Sequence, residues 1–75
     1  MFYGNIYFQD GSKREIVSFD RLTVSSNTKD EVIDEKNMLT QNFDIISKHL
    51  CFSSKEFSSR VNGKDIKYLE IFKRN

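Results

Sequence analysis

The chain has 75 residues, a net charge of +1 and one cysteine, Cys51. A chain this short forms one small domain, over residues 1–75. It buries only about 60% of its unfolded surface, so it needs a dense aromatic core or a partner chain. The single cysteine excludes an intramolecular disulfide, and one cysteine with one histidine excludes a structural zinc site.

The setting of the protein is predicted from what the chain does not contain. It has no N-terminal signal peptide, no apolar run of about 18 residues and only one thiol, so we expect a cytoplasmic protein that spans no membrane. It contains no Ala, Pro or Trp and is rich in Lys, Asn, Ile, Phe and Ser, most of which have A- and T-rich codons. This composition predicts a low-GC source, such as a Gram-positive bacterium, its phage or another mobile element.

The first third of the chain predicts a β-hairpin. Residues 2–9 alternate with a period of two and are rich in aromatic and β-branched side chains, which is typical of a strand. Asp10-Gly11 follows as a turn signal, and a second strand is expected over residues 15–19.

The register of this hairpin is predicted from its apolar residues. A four-residue loop, residues 10–13, places Ile6 opposite Val17, which is a better apolar match than a two-residue loop gives. The alternation then breaks at residues 20–21. This break predicts a bulge or bend, and a short third strand over residues 21–25 would extend the hairpin to a three-stranded meander.

Residues 28–50 predict one long α-helix. Thr28 and Glu31 match a capping box, and no Pro or Gly interrupts the segment. Acidic residues crowd the first two turns and Lys48 lies near the end, as the helix dipole favours. Apolar residues recur mostly at helical spacing: Val32, Leu39, Phe43, Ile46 and Leu50.

Residues 52–63 have two incompatible interpretations. As one arm of a C-terminal hairpin, they turn at Asn62-Gly63 into a strand over residues 64–73. We adopt this interpretation because its register makes one aromatic pair and two pairs of opposite charge. These pairs are Arg60 with Asp65, Lys55 with Glu70, and Phe57 with Tyr68.

The alternative is a recognition helix over residues 53–61, the second helix of a helix-turn-helix at residues 43–61. The segment resembles a stretch of the regulators related to the arabinose-operon activator, and this resemblance implies DNA binding. Cys51 replaces the usual turn glycine and Ser58 replaces a core aromatic, and such regulators normally carry two of these units. The matching residues are Phe52, Ser53, Ser54, Phe57, Ser59, Arg60 and Val61.

Taken together, these elements predict an α+β domain. A small antiparallel sheet packs against one long central α-helix. The sheet combines the N-terminal β-hairpin, or three-stranded meander, with the C-terminal β-hairpin.

The sequence offers no set of residues for catalysis, a cofactor or a metal ion. His49 and Cys51 are two positions apart, so on one helix they would point to different faces and would not form a nucleophile–base pair. No Gly-rich phosphate loop is present, and the acidic residues near position 30 fit a solvated helix start. We therefore predict a non-catalytic protein without a cofactor.

The function predicted from these residues is protein–protein contact, as a regulator or inhibitor. Tyr3 and Tyr7 share the strand face opposite Phe2 and Ile6, and outward aromatic side chains are typical interface anchors. The partner is another protein of unknown identity, or a second copy of this chain in a homodimer.

A nucleic-acid-binding regulator is the alternative. Basic residues outnumber acidic ones in residues 52–75, and such residues contact phosphates. The net charge of only +1 favours the protein-binding hypothesis. The candidate phosphate-binding residues are Arg60, Lys64, Lys67, Lys73 and Arg74.

Overall fold

The computed structural model describes residues 1–74, which form two antiparallel β-sheets and one short α-helix. The predicted α+β fold around a long central helix is wrong, because strands make up most of the described chain. The helix α1 spans Glu35–Thr40, and a 3-10 turn at Gly63–Asp65 precedes the last strand. The strands are β1 (Phe2–Phe8), β2 (Lys13–Phe19), β3 (Arg21–Ser25), β4 (Asp30–Val32), β5 (His49–Ser53), β6 (Ser58–Asn62) and β7 (Ile66–Lys73).

The two sheets pack against each other around one hydrophobic core. The three-stranded sheet has the order β2-β1-β7, and the four-stranded sheet has the order β4-β3-β5-β6. Phe19 from β2 and Phe52 from β5 are fully buried and meet edge to face, with ring centroids 5.1 Å apart. Inward side chains of both sheets complete the core, including Ile6, Ile16, Leu22, Val24, Leu50, Val61, Leu69 and Ile71.

The segment predicted as one long helix, residues 28–50, is divided among β4, α1 and the start of β5. Asp34 rather than Thr28 caps the helix, because its Oδ1 accepts the backbone N–H of Asn37 at 2.8 Å. The helix ends at Gln41, which adopts a left-handed conformation with φ 55°. Among residues 1–74, no helix has the length and apolarity to cross a membrane.

The apolar spacing that predicted the long helix does not form a buried stripe. Val32 and Ile46 are 61% and 76% exposed, whereas Met38, outside that spacing, is buried. Leu50 is fully buried, but it points inward from β5, where it alternates with outward residues. At the two ends of the segment, β4 pairs with β3, and β5 pairs with β3 and β6, so the backbone there is satisfied by strand pairing rather than by helical bonds.

The N-terminal hairpin is present, but its predicted register is wrong. Tyr7 lies opposite Lys13 and Ile6 opposite Arg14, so Ile6 does not face Val17. The turn therefore lies closer to the N-terminus than the predicted loop at residues 10–13.

The tight loop after β1, in which the N–H of Phe8 donates to the carbonyl of Ser12, sets the register near the turn. A bulge in β2 then shifts the pairing by one further residue. Ser18 has a left-handed backbone, with φ 62°, and the pairing of β1 with β2 shifts by one residue there rather than at residues 20–21. As a result, Ile16 and Phe19 both point into the core although they are an odd number of positions apart. The third strand occupies the predicted residues 21–25, but it belongs to the other sheet, so no meander forms.

Both interpretations of residues 52–63 are wrong. The two arms of the predicted C-terminal hairpin belong to different sheets, because β6 pairs with β5 and β7 pairs with β1. Strands β5 and β6 also exclude the recognition helix and the helix-turn-helix at residues 43–61. In the observed register Arg60 lies opposite Cys51, Tyr68 opposite Tyr7, and Glu70 opposite Asn5.

Gly63 lies at a close approach between two segments rather than in a hairpin turn. Oδ1 of Asn62 accepts the backbone N–H of Lys64 at 3.2 Å and begins the 3-10 turn. The N–H of Gly63 donates to the carbonyl of Lys48 at 2.8 Å. A Cβ at position 63 would overlap the carbonyl oxygen of Ile45 and lie 2.8 Å from that of Lys48. Glycine is therefore required here for space.

Candidate binding surface on the three-stranded sheet

The outer face of the three-stranded sheet, which we call the aromatic face, carries three rows of side chains that run across the strands. Residues opposite each other on neighbouring strands point to the same side, and alternate residues along a strand do so too. The first row is Lys13, Tyr7 and Tyr68; the middle row is Glu15, Asn5 and Glu70; the third, beside the bulge, is Val17, Tyr3 and Phe72.

In the first row, Tyr7 has a close neighbour on each adjoining strand. Its ring centroid lies 5.5 Å from that of Tyr68, with the ring planes tilted by 57°. Nζ of Lys13 lies 5.4 Å from the centroid of the Tyr7 ring, a cation–π distance. Tyr7 is therefore half-buried by its neighbours, whereas Tyr68 is 55% exposed.

In the third row, Tyr3 and Phe72 are stacked. Their ring centroids lie 5.0 Å apart with an interplanar angle of 24°, and the guanidinium carbon of Arg74 lies 5.7 Å from the centroid of Tyr3. Val17 is 54% exposed and lines a shallow depression together with Tyr3 and Arg74. The bulge at Ser18 leaves Val17 pointing outward, so this end of the face is apolar with one cation beside it.

The middle row is polar and acidic. Oε1 of Glu70 accepts two hydrogen bonds, from the hydroxyl of Tyr7 at 3.1 Å and from Nδ2 of Asn5 at 3.3 Å. On the other side of Asn5, Glu15 forms an ion pair with Lys13 at 3.6 Å. The two aromatic ends of the face are thus separated by two carboxylates.

The positions of Tyr3 and Tyr7 agree with the alternation in β1, because both lie on the outer face while Phe2 and Ile6 are buried. Their role in partner binding stays a prediction. The rest of the face, Tyr68, Glu70 and Phe72, was missed from the sequence because β7 was assigned to the wrong neighbouring strand. The available signal was the alternation of these outward residues with the buried Leu69 and Ile71.

The five basic residues of the nucleic-acid hypothesis differ in their surroundings, and their role in phosphate binding stays a prediction. Nζ of Lys73 lies 3.3 Å from the carboxylate of Glu35 on α1, and Arg74 lies over the Tyr3 ring, so both have partners within the protein. The other three lie on separate elements: Arg60 on β6, Lys64 in the 3-10 turn and Lys67 near the start of β7.

The outer face of the four-stranded sheet is mainly polar, with Val32 as an exposed apolar residue, and it contains both His49 and Cys51. These residues share a face because the segment is a strand, whereas the predicted helix would have separated them. Their cross-strand neighbours are polar: Cys51 lies between Thr23 and Arg60, and His49 lies between Ser25 and Asn62. Within residues 1–74, no group of three or more His, Cys, Asp and Glu side chains could hold a metal ion.

Similarity to known proteins adds nothing to this geometry. Comparison of the chain with protein-family models, with curated proteins and with solved structures found no match. The aromatic face is therefore judged on its own contacts, exposure and charge.

Proposed function

We propose that this protein is a small non-catalytic binding protein that acts through protein–protein contact, as a regulator or inhibitor, and that its partner binds the aromatic face. The observation that carries the proposal is the collection of four rings on one outer sheet face, with Tyr68 and Phe72 at 55% and 38% exposure. Large aromatic side chains presented together are the residues that dominate protein interfaces.

The arrangement of the rings supports a protein partner over a nucleic acid. Base stacking needs open ring faces with phosphate-binding cations beside them. Here Tyr3 and Tyr7 are half-buried, and each has an aromatic and a cationic neighbour within the protein. The carboxylates of Glu15 and Glu70 cross the middle of the face, and they would repel a phosphate backbone.

The cellular setting stays part of the proposal. Cys51 is a free, half-exposed thiol on the outer face of the four-stranded sheet, which supports a reducing, cytoplasmic compartment. A regulator or inhibitor carried by a phage or mobile element would act there on a host protein.

The proposal is tested by affinity capture with the immobilised protein from a lysate of the source cells, with and without nuclease. The double variant Tyr68→Thr, Phe72→Thr removes the two exposed rings but keeps strand-favouring residues. The control is Val32→Thr, which introduces the same hydroxyl residue at an exposed apolar position on β4, in the other sheet.

We expect the wild type and the control to retain the same proteins after nuclease treatment, and the double variant to lose them. Retention of all partners by the double variant would show that the aromatic face is not the binding site. Loss of every captured protein on nuclease treatment would instead assign the protein to nucleic acid.

A further inference from the structure

We propose that the segment recognised by the aromatic face presents a lysine or arginine between two apolar side chains, with the cation over the middle row. This inference rests on the proposed function, because it specifies the chemistry of the partner that binds the same surface. It follows from the distribution of charge over the three rows rather than from the rings alone.

The charges of the aromatic face are not mixed evenly. Both carboxylates, Glu15 and Glu70, lie in the middle row, one on each side of Asn5. The cations Lys13 and Arg74 lie beside the tyrosines at opposite ends of the face. Because Glu15 is already paired with Lys13 at 3.6 Å, the carboxylate left to attract a bound cation is Glu70, and the two ends of the face offer apolar contact.

Glu70 is positioned to receive that cation. Its Oε1 accepts hydrogen bonds from Tyr7 and Asn5, which fix the orientation of the carboxylate. Among residues 1–74, no side chain or backbone N–H donates to its second oxygen, Oε2. A lysine or arginine can donate to this oxygen without displacing a bond that the protein already makes.

The spacing of the rows sets the spacing of the partner residues. Alternate residues of a strand are roughly 7 Å apart, so each row lies about that distance from the next. A segment that covers all three rows must place an apolar, a basic and an apolar side chain at steps of this length. Apolar–basic–apolar residues at every second position of an extended chain have this spacing.

A second copy of the chain fits the face poorly. When two copies are laid face to face about a two-fold axis that runs along the strands, or across them over the middle row, each middle row lies over the other middle row. The carboxylates Glu15 and Glu70 of one copy would then face those of the second copy, and like charges in an interface oppose association. A partner with a central cation has the complementary charge.

The inference is tested by selecting random linear peptides displayed on phage against the full-length protein. Peptides that also bind the variant Tyr68→Thr, Phe72→Thr are removed, so the selected set is specific for the aromatic face. We expect the remaining peptides to share a lysine or arginine flanked by apolar residues at every second position. The most enriched peptide is then synthesised, and its affinity is measured at low and at physiological salt.

Glu70→Gln supplies the decisive comparison, because glutamine keeps the acceptor for Tyr7 and Asn5 but removes the charge. We expect this variant to bind the peptide about fivefold more weakly at low salt, with its unfolding midpoint unchanged. The control Glu31→Gln removes a carboxylate from β4, in the other sheet, and should leave the affinity unchanged.

The other outcomes separate this inference from the proposed function. Face-specific peptides without a basic residue, or peptides that bind Glu70→Gln as tightly as the wild type, would overturn the inference and leave the proposed function standing. Failure to select any face-specific peptide would count against both. Two further results would overturn the inference. One is a dimer in sedimentation and the other is binding of a single-stranded oligonucleotide, in each case abolished by the double variant Tyr68→Thr, Phe72→Thr. Either result would assign the face to that occupant.

Discussion

The two sheets contribute to one core but turn different outer faces to solvent. The outer face of the three-stranded sheet carries all three tyrosines of the chain and Phe72, whereas that of the four-stranded sheet carries mainly hydroxyl and other polar groups. The hydroxyl side chains of the second face are Thr23, Ser25, Ser53 and Ser58.

This difference separates the aromatic residues that build the core from those of the proposed binding surface. Phe19 and Phe52 are both fully buried where the sheets meet, so each sheet supplies aromatic packing to the core. The rings of the aromatic face lie on the far side of their sheet and add little to that core. Single exposed apolar residues such as Val32 are common, but several together on one face indicate a binding surface.

The largest expected effect tests whether the two sheets unfold as one unit. Phe52→Ala leaves a cavity against Phe19, and we expect it to lower the free energy of unfolding by about 3–5 kcal/mol. Urea unfolding is followed by tyrosine fluorescence, which reports on the three-stranded sheet, and by the NMR signal of His49, which reports on the four-stranded sheet. Both midpoints should fall together.

The control for this experiment is Ser53→Ala, the neighbouring residue on the outer face of β5. Its expected effect is within about 0.5 kcal/mol, because the side chain makes no core contact. If the Phe52 variant shifted the His49 signal but not the tyrosine signal, the sheets would be separate folding units.

A second prediction compares two glycines, one joining the sheets and one within the first hairpin. Gly63→Ala places a methyl group against the carbonyl oxygens of Ile45 and Lys48, and both obstacles are backbone. We expect a loss of about 3 kcal/mol in unfolding free energy, because neither segment can move without disturbing the strands beside it.

Gly11→Ala is the matched change, since Gly11 has φ 90° but no neighbouring atom within 4 Å of the place that a Cβ would take. Only backbone strain opposes this substitution, and about 1 kcal/mol is expected. Thermal unfolding of the two variants measures the difference. Equal losses would contradict the assignment of Gly63 to a steric role.

Local alternation in the sequence was sufficient to predict the first hairpin and the third strand. Residues 21–25 form β3 as expected, because period-two patterns with β-branched residues are read locally. The register was not predictable in the same way. The left-handed backbone of Ser18 brings Ile16 and Phe19 to one face, and serine carries no local signal for that conformation.

At the C-terminal end of the predicted helix, two periods overlap. Leu50 completes the apolar spacing of a helix, but it also alternates with His49 and Cys51 as in a strand. Pairing of β5 with β3 and β6 decides between the two, and such tertiary contacts are not visible in a local pattern.

Only part of the aromatic face was predicted from the sequence, again because strand pairing is not visible in a local pattern. Tyr3 and Tyr7 follow from alternation within β1, but their neighbours come from the other end of the chain. The carboxylate of Glu70, for example, accepts a hydrogen bond from Asn5, which lies 65 positions away in the sequence. The pairing of β7 with β1 therefore had to be seen in the structure before the rows of the aromatic face could be recognised.

The smallest expected effect concerns pH and the turns of the two hairpins. In the β1–β2 turn, Oδ1 of Asp10 accepts from the hydroxyl of Ser12 at 2.6 Å and from its N–H at 2.8 Å, and these bonds hold the pKa of Asp10 below its ordinary value of 3.8. In the β5–β6 turn, Oγ of Ser54 accepts the N–H of Glu56 at 3.2 Å, and a hydroxyl does not titrate there.

A depressed carboxyl pKa stabilises the folded state above the ordinary pKa, and that contribution is lost as the pH falls through the folded-state pKa. The stability advantage of the wild type over Asp10→Asn should therefore be present near neutral pH and shrink below about pH 4. Urea midpoints measured across this range report it, and Ser12→Ala, which removes the hydroxyl donor, should reduce the pH dependence. Ser54→Ala should leave the pH dependence unchanged, because its turn is closed without a carboxylate. If the stability difference between the wild type and Asp10→Asn stayed constant below about pH 4, the Asp10 carboxylate would not stabilise the first turn through its charge.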